Sequence, residues 1–453
     1  MFTRIYLSLV LLAAVPAWSQ VSGGGATDIS SALSGEPGMR TPPPVSDESY
    51  PTAVGAETLS NYLNAGLVVI TGYTDNVALN SSDKPAGDVS YSIRPTVSLD
   101  QTTSRFHQTL TYSPGFTFYN HTSQLNEADQ GLSVGTQYRF SPHVTGSLHE
   151  EFRKSSNAFN TIESSGGSVS GSAQTPVTAL IAPVADQLNN NAGGQLTYQF
   201  SMNDMVGGSA TFSTLRYGDS TQVSGLSNSD LKGGAVFYSR RISNGQYFGA
   251  TYQYSNIAAS APITLNNVAT TVQTETQTQS LLFFFTVYFG RNVSVSISAG
   301  PQHSDVAESP LPSEKSLSPA VVASFGWQGR HTSLSASYAQ LTAAGGGLLG
   351  AYHANSASAA ARWQVSRSWT FGSSAGYMNT DNISQSMESF NPGGHTLSGS
   401  VTAQHPINQR FSMEFGYTRL HQSYQSIAYI ANTPDVGRAY VSLSYQFSRP
   451  LGR

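Results

Sequence analysis

The chain has 453 residues and a formal net charge of −4, and only 11% of its residues are charged, less than half the globular norm of about 25%. The near-neutral balance leaves no basic patch for nucleic acid. The absence of any cysteine excludes disulfides, thiolate metal sites, cysteine nucleophiles and lipidation on Cys.

Residues 1–19 read as a secretory signal. Arg4 supplies the positive n-region, Ile5 to Val15 the apolar run, and Ala17-Trp18-Ser19 a small-x-small cleavage site before Gln20. That run is too short to span a bilayer as a helix, and no later segment offers the roughly 18 consecutive apolar residues a helical span needs. Residues 20–59 are rich in Gly, Ser and Pro, with Thr41-Pro42-Pro43-Pro44 in the middle. They carry too little apolar surface to fold alone and are expected to form a disordered periplasmic arm.

Residues 60–453 alternate. Val293, Val295, Ile297 and Ala299 are apolar, while Ser294, Ser296, Ser298 and Gly300 between them are small or polar. Phe106, Leu110, Tyr112, Phe116 and Phe118 alternate with His107, Thr109, Thr111, Gly115 and Thr117 in the same way. A period of two puts each set on one face of a strand. The wet face carries Ser, Thr, Gly and Gln rather than the Lys and Glu of a soluble sandwich, which suits the inside of a transmembrane barrel. Strands are predicted near 62–73, 87–100, 104–119, 126–140, 143–156, 189–200, 203–217, 227–240, 244–257, 272–289, 291–304, 316–329, 331–343, 353–365, 367–380, 393–405, 408–421 and 437–449. The fold class is therefore all-β: an antiparallel transmembrane barrel of about 18 strands, the even number that bacterial single-chain barrels show.

The connections alternate in length. Ser141-Pro142, Ser201-Met202, Gly290, Ser366 and Pro406-Ile407 are short; Thr74–Ala86, Asn157–Leu188, Asp381–Pro392 and Gln422–Val436 are long. Short periplasmic turns and longer extracellular loops are the expected asymmetry of outer-membrane barrels. Aromatics gather at the short turns: Tyr138 and Phe140, Tyr198 and Phe200, Phe237 and Tyr238, Tyr288 and Phe289, Trp327, Trp363, Trp369, Phe411, Tyr445 and Phe447. They are expected to form the inner girdle. On the last strand Val441, Leu443, Tyr445 and Phe447 face outward, similar to the C-terminal signal by which outer-membrane barrels reach their assembly machinery. Here Ser448 to Arg453 follow the final aromatic.

Gly72-Tyr73-Thr74-Asp75-Asn76-Val77, Arg94-Pro95-Thr96-Val97-Ser98-Leu99 and Leu110-Thr111-Tyr112-Ser113-Pro114-Gly115-Phe116-Thr117-Phe118-Tyr119 carry a family resemblance. With them residues 62–156 resemble the start of the β-barrel porins encoded beside exopolysaccharide genes in Gram-negative bacteria. The resemblance implies an outer-membrane barrel, with polysaccharide as a partner, and supplies no catalytic residue.

No Gly-x-Ser-x-Gly elbow, His-Glu-x-x-His helix or phosphate loop stands in a supporting context, so neither an enzyme nor a cofactor is expected. Gly345-Gly346-Gly347 reads as a flexible segment, and Asp75-Asn76 as a turn former. His149 and Glu150, adjacent on a strand, face opposite ways.

By parity Arg94, Lys232 and Glu414 should line the lumen at mid-strand. Arg139 and Arg362 should do so near the periplasmic end, and Arg153 and Arg216 near the outer end. The reason is cost: Arg or Lys on the lipid face loses about 2–4 kcal/mol at the midplane. No bulky inward side chains are expected, so the lumen should be open and water-filled, with loop 157–188 available to constrict it. The expected function is passive diffusion of small hydrophilic solutes across the outer membrane, leaning toward anions. A barrel component of exopolysaccharide export is the alternative, and a barrel hydrolase a further one.

Overall fold

The computed structural model describes residues 39, 41, 42, 45, 61–78, 85–155, 186–218, 226–265, 268–290, 292–309, 313–383, 393–424 and 434–451. The expected signal peptide and loop 157–188, apart from its last three residues, lie outside them. Eighteen strands follow in chain order: β1 (Tyr62–Thr74), β2 (Asp88–Thr102), β3 (Phe106–Tyr119), β4 (Glu127–Ser141), β5 (Val144–Ser155), β6 (Gln187–Gln199), β7 (Asp204–Tyr217), β8 (Asn228–Ser243), β9 (Gln246–Leu265), β10 (Val268–Phe289), β11 (Val293–Ser309), β12 (Glu314–Gln328), β13 (Thr332–Ala344), β14 (Ala351–Gln364), β15 (Thr370–Asn382), β16 (Gly393–Pro406), β17 (Phe411–Tyr424) and β18 (Asp435–Pro450). No helix among the described residues is long and apolar enough to cross a membrane.

Each strand pairs antiparallel with its chain neighbours, and β1 closes on β18 from Tyr62↔Pro450 to Thr74↔Arg438. Ser448, Arg449 and Pro450, which follow the last aromatic, are thus still strand. At the outer end of the seam Asp75 Oδ1 accepts the Gly437 N–H at 2.7 Å, and Asn76 Nδ2 donates to the Asp435 carbonyl at 3.2 Å. The Asp-Asn pair is therefore a clamp across the seam as well as a turn former. Closure removes the unpaired edge that lipid could not satisfy.

Burial runs inside out. Leu67, Val69, Ile93, Val97, Phe116, Phe283, Phe285, Val441 and Leu443 are exposed, while Ser90, Ser92, Thr117, Ser296, Ser298 and Thr286 are buried. Inward hydroxyls on directly paired residues bond each other across neighbouring strands: Ser92 with Thr117 at 2.9 Å, Thr286 with Ser296 at 2.7 Å, and Ser374 with Ser400 at 2.7 Å. A closed barrel with an apolar exterior and hydroxyl-rich interior belongs in the outer membrane of a Gram-negative bacterium. The outward girdle at the short turns includes Tyr138 against Phe140 (centroids 4.9 Å apart), Trp369 stacked on Phe371 (6.2 Å) and Phe411 against Tyr445 (4.9 Å). Phe237 and Tyr288, expected in that girdle, point into the barrel instead. Their register partners Gly207 and Ser294 lie on the inner face.

The strands of one side run long: β9 has 20 residues and β10 has 22. Their outer ends carry outward polar groups beyond the apolar band. Asn256 donates to Glu275 at 2.7 Å, and Lys315 pairs with Asp305 at 3.6 Å.

Candidate transport lumen

The inner wall is rich in hydroxyls all round, with Ser213, Ser229, Thr251, Thr276, Ser296 and Ser298 inward on β7–β11, and its two sides differ in how many large apolar side chains stand among them. Along β7–β13 the inward side chains include Met205, Leu215, Leu231, Phe237, Tyr247, Ile257, Leu282, Phe284, Val322 and Leu341, all buried. The expectation that nothing bulky points inward is corrected by these residues. Glycines make room for the rings. A Cβ on Gly207 would strike the Phe237 ring, and one on Gly249 the Phe284 ring. Along β14–β18 and β1–β6 the inner face is mostly Ser, Thr, Asn, Gln and charged groups, with Ile70, Tyr352, Leu420, Tyr424 and Val436 the large apolar or aromatic exceptions. Polar examples are Ser442, Thr96, Ser133, Asn191 and Gln195.

The outer part of the β7–β11 side is covered by the hairpin of β13 and β14. β13 pairs with β12 only from Gln328↔Ser333 to Val321↔Gln340, whereas it stays with β14 as far as Ala344↔Ala351. Beyond Gln340 the hairpin leaves the wall and leans into the lumen. There Thr342 donates its N–H to Gln302 Oε1 of β11 at 2.9 Å, and its hydroxyl meets Ser304 at 3.2 Å. The tip, residues 345–350, reaches the outer end of β7 and Ser227 just before β8. Ser227 donates its N–H to the Gly347 carbonyl at 2.7 Å, and the Tyr217 hydroxyl donates to the Gly346 carbonyl at 3.4 Å. Leu348 is fully buried among Leu215, Tyr217, Leu226, Tyr352 and Tyr424, so the cluster joins β7, β14 and β17 across the mouth. Ala344 and Ala351 pack on Leu231 and Ile257 of β8 and β9. Gly346, Gly347 and Gly350 have φ of 57°, 115° and 100°, left-handed values that glycine adopts without strain. The Gly-rich segment read as flexible is the constriction.

The sequence-predicted charged residues separate into two groups. Arg94, Arg139, Arg153, Arg362 and Glu414 stand on the inner face, paired with Val68, Thr145, Gly131, Ser333 and Gln404. Arg216 and Lys232 do not. Arg216 shares the outward parity of exposed Val206 and Phe212, and pairs with Asp230 through two 2.7 Å bonds. Lys232 lies opposite exposed Phe212 and outward Asn256. Both sit at the outer ends of their strands, above the midplane, where the penalty for a lipid-facing cation falls to about 0–1 kcal/mol.

The inner face also holds groups that the sequence reading missed. Glu127 and Asp129 of β4 face inward opposite Thr117 and Gly115. Arg94 and Asp129 meet over the gap above Gly115, where a Cβ would lie 3.4 Å from both side chains. On β18 the buried Arg438 places its guanidinium 5.7 Å from the Tyr440 ring centroid. Tyr440 lies over Gly416 and donates to Glu414 Oε1 at 2.9 Å. Arg153 pairs with inward Glu151 at 3.5 Å. The parity that marks Val441 and Leu443 as outward also marks Arg438 and Tyr440 as inward, so this signal was available. Carboxylates therefore interleave with the arginines along β14–β18 and β1–β6. His149 lies inward over Gly193, and Glu150 outward opposite Val134 and Ala192.

No protein-family model matches the chain, and no curated protein matches it. Among solved structures, the ferric-catecholate import receptor Fiu from E. coli K12 in its closed form is 7% identical, covering 88% of this chain and 82% of its own, with a TM-score of 0.45. OccK2 (OpdF) from Pseudomonas aeruginosa is 11% identical over 86% of this chain and 98% of its own, TM-score 0.42. The outer membrane protein OpdK from Pseudomonas aeruginosa is 9% identical over 85% and 99%, TM-score 0.40. The likeness is one of outline, and the barrel stands on its own strand pairing.

Proposed function

We propose that this barrel is a constricted outer-membrane pore for passive diffusion of small hydrophilic solutes. One observation carries the reading: hydroxyls, amides and charged groups predominate on the inner face of β14–β18 and β1–β6, interrupted at the outer end by Tyr352, Leu420, Tyr424 and Val436, while the inserted hairpin lies against β7–β11. A solute path lined by hydroxyls, amides and interleaved charges remains along that face. Arg94, Arg139, Arg153 and Arg362 draw anions, and Glu127, Asp129, Glu151 and Glu414 oppose them, so the expected anion preference is modest. Planar-bilayer recording in a salt gradient tests it. Arg94→Ala should move the reversal potential toward cation preference while steady current persists. An unmoved potential would remove Arg94 from the path.

The exopolysaccharide reading rests on the resemblance of residues 62–156 and would require the hairpin tip to vacate the mouth before a polymer could pass. Delivery by the outer-membrane barrel assembly machinery is part of the proposal, supported by the outward Val441, Leu443 and Phe447 of the closing strand.

A further inference from the structure

Four residues of the Pro-rich arm lie inside the barrel, at the mouth opposite the hairpin. Met39 is buried against Met205, Phe237 and Tyr247, with Val45 and Tyr288 packed beside them. All four wall residues face inward near the short turns of β7–β10. The polar contacts are specific. The Met39 N–H donates to Gln199 Oε1 at 3.3 Å, Gln195 Nε2 donates to the Val45 carbonyl, and the Thr41 hydroxyl lies 3.9 Å from the Met205 sulfur. Pro42 is buried, and the Val45 N–H donates to its carbonyl at 3.0 Å. The receiving wall is shaped for it. Gly207 leaves room for the Phe237 ring, since a Cβ there would strike it. Met205 and Met39 supply adaptable sulfur-containing contacts.

We propose that the inner wall of β6–β9 is a binding site for a proline-containing peptide segment, and that the chain's own Met39, Thr41, Pro42 and Val45 are its resident occupants, narrowing the periplasmic mouth. Apolar anchors set the affinity, and two inward glutamines read the backbone N–H and C=O of the segment. Prolines suit such a ligand because their fixed φ leaves less freedom to lose on docking. The narrowing rests on the pore reading above; the binding site does not.

The chain contains no cysteine, so an introduced pair is unique and can bridge only where the two residues approach closely. In the full chain, Met39→Cys is combined with Met205→Cys, and in a control with Ser442→Cys on the inner face of β18. Mild oxidation should link the first pair far more completely than the control. Equal yields would overturn the binding site. The linked barrel is then recorded in a planar bilayer before and after reduction. Loss of steady current when linked, regained on reduction, is expected, and Gln195→Ala with Gln199→Ala should leave the uncrosslinked pore open for longer. Equal current in linked and reduced forms would overturn the narrowing. A selectively linked barrel silent in every form would instead mean that the pore reading fails while the binding site stands.

Discussion

Tyr440 shows how single residues shape this lumen. Its ring lies where Gly416 has no side chain, its hydroxyl holds Glu414, and Arg438 stands over its face. Gly416→Ala would push a methyl into that ring. The expected cost is about 1–3 kcal/mol, as for other overpacked sites, read as a lower urea midpoint for the refolded barrel. Gly399→Ala is the control, because its Cβ would meet only the Ser374 carbonyl at 3.9 Å; equal losses would refute the notch. Residue facing was legible wherever one parity was apolar and the other small, as on β11. It failed on β7 and β8. In Leu231-Lys232-Gly233-Gly234-Ala235-Val236-Phe237-Tyr238 both parities carry large apolar residues, one set facing the packed lumen and the other lipid. The cost of a lipid-facing cation could not decide the matter, because Lys232 and Arg216 lie too near the outer interface to incur it.

At the scale of elements, strand count, order and the short-turn side follow from alternation and turn residues. The inserted hairpin does not. Leaving the wall at Gln340 is a tertiary choice, set by Leu348 and Tyr352 finding Leu215, Tyr217 and Leu226 on and after β7. Two signals pointed to it in retrospect. Leu281-Leu282-Phe283-Phe284-Phe285 does not alternate, which marks a strand covered on both faces. The run from Gly345 to Gly350 is apolar apart from its glycines, an unusual composition for a loop facing water. Gly347→Val would place a branched side chain at φ 115° and against the Tyr217 hydroxyl. The tip should detach, and limited proteolysis of intact barrels should cut the variant within 345–350 while sparing the parent. Equal resistance would mean that the tip is held by something other than this fit.

For the molecule as a whole, closure is the part most fully written in the sequence. An alternating chain with no helical span, an even strand count and an apolar last strand has one membrane solution, and β1 meets β18 over the full length of β1. What could not be read is how far the lumen is filled, because filling depends on which rings meet which glycines across strands. Those pairings exist only once register is set. The result is a hydroxyl-lined barrel whose large inward apolar side chains are concentrated on β7–β13, with chain entering at both mouths.

Single-channel recording of the full chain beside a variant in which residues 345–350 are replaced by a short turn tests this account most directly. The parent should give steady, small conductance steps, and the variant larger ones with weaker ion selectivity. Steps of the same size in both proteins would contradict a path constricted by the hairpin, and silence in both would contradict a path along β14–β18 and β1–β6.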